Sequence, residues 1–257
     1  MTDVLLKLAA AELDRHLAHA RIEKAFTGLP AYAPAHKAAA PDGQNVVCAL
    51  QVQAKVYTSL HAMVTDIDRY MLAAVRRGAR LVCFPELYGM FTAFASPLVQ
   101  TLFKAAFKPP ASGETAAAPP SLDLPRLYEP FAFLPKRYLA IMARFARRYG
   151  VWVSCGSVFT HEQGKVYNRH TLLDDRGRVA GVQDKLHLVP EELALGLSRG
   201  TELTVVKTPF GNLALTVCMD ATYFETFKIA KGLGADFALV PIANMEPYNH
   251  YLALRGF

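Results

Sequence analysis

The chain has 257 residues, 52% hydrophobic and 19% charged, a balance that supports a sizeable buried core and excludes a disordered chain. Its formal net charge of +6 is scattered in short pairs such as Arg76-Arg77 and Arg147-Arg148, which argues against a nucleic-acid partner. No apolar run reaches the ~18 residues of a membrane span. Lys7, Glu12 and Asp14 interrupt the N-terminal apolar stretch where a secretion signal needs its core, so a cytoplasmic protein with no membrane partner is expected. Cys48, Cys83, Cys155 and Cys218 form no C-x-x-C pair and read as free thiols, mostly inside apolar runs.

Residues 3–26 carry Leu6, Ala9, Leu13, Leu17 and Ala20 at helical spacing, and Thr27-Gly28 ends the pattern. Residues 29–43, rich in Pro and Ala, read as a linker, so 1–43 is expected to be an N-terminal extension and 44–257 the main domain. A strand is expected at 45–53. A helix follows with Val64, Ile67, Met71, Ala74 and Val75 on one face, and then a buried strand at 79–84 that ends at Pro85-Glu86. Residues 91–135 contain PPASGETAAAPPSLDLP and read as a lid, an insertion or a surface loop. Beyond it the pattern gives a helix at 136–149, a strand at 151–159 and a hairpin of strands 165–173 and 178–183. Strands at 203–207 and 213–218, a helix at 221–232 and a strand at 236–241 complete it. This order predicts an α/β fold with a mixed sheet.

Three residues sit where chemistry could occur. Cys218 lies between an apolar strand and a helical stretch, where free backbone N–H groups would lower a thiol pKa and Met219 N–H would face a developing oxyanion. The plain alternative is a small buried residue at a strand end. Glu86 leaves a buried strand at its carboxyl end, where α/β active sites form, and would serve equally as a first-turn acid of the next helix. Lys185 alternates with Leu186 in QDKLHLVPEE. It either faces inward, which demands a carboxylate partner, or lies in solvent over buried leucines.

Taken together, FPEL at 84–87, DKLHLVPEE at 184–192 and CMDATYFE at 218–225 resemble, in order, the motifs of the nitrilase (carbon–nitrogen hydrolase) superfamily. Tyr167-Asn168, Gly156-Ser157 and GADFALVP at 234–241 agree with that resemblance, which covers about residues 45–257. It implies an αββα sandwich with mixed sheets. It makes Cys218 the nucleophile, Glu86 the general base and Lys185 the cation that steadies the tetrahedral intermediate, with either Glu191 or Glu192 as a second glutamate. Cys218-Met219-Asp220 is closer to the Cys-x-Asp of amidase-like branches than to the Cys-Trp-Glu of nitrilases proper. An amide or N-carbamoyl substrate is therefore favoured over a nitrile, with no metal or organic cofactor. Tyr88 and Tyr223 stand near the motifs as candidate pocket walls. The resemblance also implies a homodimer or higher homo-oligomer.

Several features depart from the family pattern. Glu86 and Lys185 lie 99 positions apart, a wide gap whose excess falls in 91–135. The family fold continues beyond NHYLALRGF, so the chain is expected to be C-terminally incomplete. That expectation supports a rival reading, a catalytically silent scaffold or regulatory member of the same fold. A thiol redox sensor using Cys218 is a third. Gly232-Leu233-Gly234 lacks the third glycine of a dinucleotide fingerprint, and His161-Glu162 lacks the second histidine of a zinc-protease helix.

Overall fold

A computed structural model describes residues 3–33, 45–53, 55–106 and 124–243. Its larger sheet has the order β1 (Val46–Ala49), β2 (Ala79–Cys83), β3 (Trp152–Glu162), β4 (Lys165–Leu173), β5 (Val179–Asp184). The first three strands run parallel and the last two are added antiparallel. A smaller sheet orders β6 (Val205–Thr208), β7 (Gly211–Leu215) and β8 (Phe237–Leu239), with β6 antiparallel and β8 parallel to β7. Both sheets are mixed, as the alternation of helices and hairpins in the sequence predicts.

The parallel strands require crossovers, and the helices that provide them bury one face. Helix α3 (Leu60–Val75) buries Val64, Ile67, Met71, Ala74 and Val75, the face predicted from spacing, and Ser59 caps it by accepting from Ala62 N–H at 3.2 Å. Helix α6 (Leu134–Tyr149) buries Tyr138, Ile141, Met142 and Phe145 beside them, and Gly150 ends it in the left-handed conformation. Leu81, Leu172, Val206, Leu213, Leu215 and Leu239 form a second cluster between the two sheets.

Two of these expectations need correction. The helix expected over 3–26 is two, α1 (Asp3–His16) and α2 (His19–Thr27). Leu6, Ala9, Leu13 and Leu17 are buried as predicted, but the break turns Ala20 outward and buries Ile22 and Ala25 instead. The stretch 91–135 is only partly loop. A 3-10 helix covers Tyr88–Ala95, followed by α4 (Pro97–Ala106) and α5 (Leu124–Tyr128). Most of PPASGETAAAPPSLDLP, the linker beyond residue 33 and the C-terminal NHYLALRGF lie outside the described residues.

The N-terminal helices are fastened to α4, α5 and α6. Glu12 accepts from Ser96 Oγ at 2.5 Å and from Leu98 N–H at 3.3 Å, placing a carboxylate at the positive end of α4. Asp14 pairs with Arg137 at 2.8 Å and Asp3 with Arg126 at 2.9 Å. Among the described residues no helix is long and apolar enough to cross a membrane.

One buried histidine ties the two sheets together. His170 on β4 contacts Ser154 Oγ at 2.8 Å and Thr216 O at 3.1 Å, two residues before Cys218. Burial drives its pKa down to about 4, so it is neutral in the folded state. Above pH 6.5 neither folded nor unfolded chain protonates this ring. Below that, the unfolded chain takes the proton first, so stability falls until pH reaches about 4. The stability lost on the way down to that pH is about 3 kcal/mol. Urea midpoints at pH 7 and pH 4.5 should fall further in the wild type than in His170→Gln, whatever the substitution itself costs.

Candidate active site

Glu86 follows the end of β2. Phe84 N–H donates to Ser154 O at 2.9 Å, extending the pairing of β2 with β3, and Pro85 then turns the chain away. Gly156 makes room for that turn. A Cβ on Gly156 would lie 1.9 Å from Pro85 O, and its φ of +64° is itself one that other residues rarely adopt. The next residue, Ser157, accepts from Leu87 N–H at 2.9 Å, and Leu87 takes a φ of +58°. The β3–β4 register shifts across Ser154–Ser157, so a local irregularity of β3 sets the height of the Glu86 carboxylate.

Lys185 comes directly after β5 and is 2% exposed, so the inward reading of this residue is the one observed. Its N–H donates to Asn168 O at 2.9 Å, which carries the β4–β5 pairing one residue further. Its Nζ lies 2.9 Å from Glu86 Oε1 and 2.8 Å from Glu192 Oε2. Glu192 reaches back from the short helix α7 (Pro190–Ala194), where its Oε2 also accepts from Val189 N–H at 3.0 Å. Of the two neighbouring glutamates, Glu192 is the one that reaches Lys185; Glu191 is exposed on the same helix. Asn168 joins the group from β4, its Nδ2 donating to Glu86 Oε1 at 2.9 Å and Glu192 Oε1 at 3.0 Å. The reverse amide orientation would set an oxygen against two carboxylates. Asn168 Oδ1 is buried with no hydrogen-bond partner among the described residues.

Cys218 opens a single 3-10 turn, Cys218–Thr222, at a φ of +42°. Such backbone strain in a non-glycine residue persists only where the surroundings hold it. Cys218 N–H donates to Pro241 O at 2.9 Å, and the thiol is hydrogen-bonded to Glu86. Ala243 N–H donates to the other Glu86 oxygen at 3.1 Å. Met219 is the second residue of this turn, where an N–H has no acceptor within the helix. Tyr223 is 40% exposed and stacks on His187, ring centroids 4.1 Å apart. Tyr88, expected as a pocket wall, is buried in the helix-side core against Phe84, and its hydroxyl meets that of Tyr57 at 3.2 Å.

The charges oppose the expected thiolate. Burial pushes the Cys218 thiol up to about 12, Glu86 adds to the rise, and Lys185 opposes it. A strand-to-helix junction was expected to lower this pKa. Here the junction is one 3-10 turn in a buried site, and burial wins over the few N–H dipoles it supplies. The resting residue is a thiol beside the Glu86 side chain. Burial also works against the charge of Lys185, but Glu86 and Glu192 outweigh it and its pKa stands above the ordinary lysine value. A broader cleft lined by His16, Arg21, Lys24 and His61 near the start of α3 shares no residue with this group.

Residues 47–256 match the carbon–nitrogen hydrolase family model. The chain belongs to the carbon–nitrogen hydrolase family. It is 27% identical over 210 residues to a probable hydrolase, YhcX, of Bacillus subtilis, covering 81% of this chain and 36% of that protein. It is 33% identical over 110 residues to a deaminated glutathione amidase of Yersinia enterocolitica, 38% of each chain. The chain thus matches little more than a third of the length of either relative. An amidase from Nesterenkonia sp. AN1 superposes with a TM-score of 0.60 at 20% identity, covering 83% of this chain and 71% of that one. That likeness supports the nitrilase-type fold, and the family assignment fits the order of the motifs around Glu86, Lys185 and Cys218.

Asn168 was visible in the sequence only as part of a motif, and Asp220 and His187 carried no sign of their contacts. Asp220 accepts from His187 N–H at 2.7 Å and from Val217 N–H at 2.9 Å, bonds that depend on tertiary placement. The role of Gly156 is testable. Gly156→Ala should displace Pro85 and Glu86 and lower thermal stability by several degrees, the scale expected for a cost of roughly 2–3 kcal/mol. A folded Gly156→Ala protein with wild-type melting temperature would contradict the close approach.

Proposed function

We propose that this carbon–nitrogen hydrolase cleaves the C–N bond of a small non-peptide amide or N-carbamoyl compound through a thioester on Cys218. The observation that carries the reading is the buried contact of Glu86 with both the Lys185 ammonium and the Cys218 thiol. Glu86 takes the thiol proton as the sulfur attacks the carbonyl carbon. The C–S bond forms while the carbonyl electron pair moves to oxygen, where Lys185 Nζ and Met219 N–H hold the charge. When that pair returns, the C–N bond breaks and Glu86 gives its proton to the nitrogen, so ammonia or an amine leaves. Water then gives a proton to Glu86 and attacks the thioester, and collapse of that intermediate releases the acid and restores the thiol. Glu192 and Asn168 touch Lys185 and Glu86 rather than the thiol, and hold the pair in register.

The relatives support an amide reading. One is named for amidase activity on deaminated glutathione. A glutamate-to-glutamine variant of the Nesterenkonia amidase, TM-score 0.58 at 21% identity, shows Michael addition of acrylamide at its active-site cysteine. Such a thiol can react covalently in that protein when one glutamate charge is gone.

Ammonia release from a panel of amides, N-carbamoyl amino acids and nitriles tests the reading. Release is expected from at least one amide or N-carbamoyl compound and should vanish in Cys218→Ala; a folded protein that releases none overturns it. Glu86→Gln separates the roles further. Turnover should fall by about 10²–10⁴, the range for losing a general base. Because the Glu86 charge raises the thiol pKa, Cys218 in that variant should ionise below about 12. Thiolate absorbance against pH reads the shift, and an unchanged or higher midpoint would refute the pairing.

A further inference from the structure

Asp220 is 0% exposed and carries no substrate-facing role in the steps above. Its Oδ1 accepts from Leu186 N–H at 3.0 Å and His187 N–H at 2.7 Å, and lies 3.1 Å from His187 Nδ1. Its Oδ2 accepts from Val217 N–H at 2.9 Å. One carboxylate therefore joins the backbone immediately after Lys185 to the backbone immediately before Cys218. These segments belong to different sheets: Lys185 follows β5 of the larger and Cys218 follows β7 of the smaller.

We propose that Asp220 is a positioning residue for the reaction, a buried strut that fixes the Lys185 ammonium relative to the Cys218 sulfur. This rests on the hydrolase reading for its kinetic consequence, but not for its geometry. Three backbone N–H groups converge on the carboxylate, and charge-assisted bonds of this kind are short and directional. Burial raises the Asp220 pKa, opposed by the N–H groups of His187 and Val217. A group placed at such cost, beside a strained Cys218, needs a structural return, and the link between two segments supplies one. The sequence places Asp220 two residues from the nucleophile because one 3-10 turn carries the side chain back toward the strand it left.

Asp220→Asn keeps the shape but sets an amide N–H₂ against Val217 N–H or against the Lys185 segment. Turnover of whichever amide the wild type accepts should fall at least tenfold in kcat with KM changed less than threefold. In a Lys185→Met background the same substitution should cost much less, because the strut then has no ammonium to place. A second readout needs no turnover. Formation of the acrylamide adduct on Cys218, followed by mass spectrometry at one fixed pH, should be at least tenfold slower in Asp220→Asn than in wild type. If no amide is hydrolysed by the wild type, the hydrolase reading fails while the adduct rates still test the strut. A folded Asp220→Asn protein with an unchanged or faster adduct rate overturns the proposal, as does an equal kcat loss with and without Lys185. If Asp220→Asn does not fold, Asp220→Glu retains the charge with displaced oxygens and should slow adduct formation likewise. Wild-type rates in Asp220→Glu, or loss of the fold in both variants, would assign Asp220 a purely structural part.

Discussion

The ammonium of Lys185 held between Glu86 and Glu192 is the constraint on which the site depends. An isolated ammonium at 2% exposure would cost several kcal/mol in lost hydration. Two carboxylates at 2.9 and 2.8 Å offset this; Asn168 Nδ2 donates to Glu192 Oε1 and Ala243 N–H to Glu86 Oε2, the oxygens that Lys185 leaves open, while Val189 N–H shares Glu192 Oε2 with the ammonium. By formal charge, the trio of Glu86, Lys185 and Glu192 carries one net negative charge. Ionising Cys218 into solvent would make it two. Passing the thiol proton to Glu86 leaves the total unchanged and moves the negative charge from oxygen to sulfur. On the proposed reading, such a cluster favours internal proton transfer over loss of a proton to water.

That cluster is assembled from segments far apart in the chain, three of which leave strands. Glu86 follows β2, Lys185 follows β5, Cys218 follows β7, and Asn168 comes from within β4. Strand pairing fixes the backbone up to each exit, and a short device then aims the side chain. For Glu86 it is the absent Cβ of Gly156 with the Ser157 hydroxyl; for Lys185 it is one further ladder bond to Asn168 O; for Cys218 it is a strained turn. His170 adds a bond between the sheets close to Thr216, so the approach to Cys218 is held from the larger sheet as well.

Much of this was legible in the sequence, for a physical reason. The faces of α3 and α6 follow from helical periodicity, because a helix must bury its apolar stripe, and the β4–β5 hairpin follows from alternation around Asp175-Arg176-Gly177. Glu86 and Cys218 stand out in the sequence at the ends of apolar strands, whereas Lys185 is singled out by the resemblance of DKLHLVPEE to the family motif. What stayed hidden depends on tertiary contact. Glu191 and Glu192 are neighbours of the same type, and only the direction of a one-turn helix decides which reaches Lys185. Tyr88 lies beside the FPEL motif, yet the 3-10 helix that begins there turns it into the core. The helices at 97–106 and 124–128 flank a Pro-rich run whose composition masks them.

The environment of Cys218 also separates the chemical readings of its thiol. A redox sensor needs a thiolate that is exposed and stable at rest, since oxidants react with that form. Here the thiol is buried and its pKa stands at about 12, five units above neutrality, so releasing the proton to water at pH 7 costs roughly 7 kcal/mol. Transfer to Glu86 avoids that cost only if something stabilises the sulfur as it loses the proton. A carbonyl carbon accepting the sulfur electrons does so, because the charge passes on to an oxygen that Lys185 can hold. On the proposed hydrolase reading, the arrangement that holds the thiol protonated without a substrate lets it react with a bound electrophile. The high pKa is thus consistent with a nucleophile activated on demand and argues against a freestanding sensor.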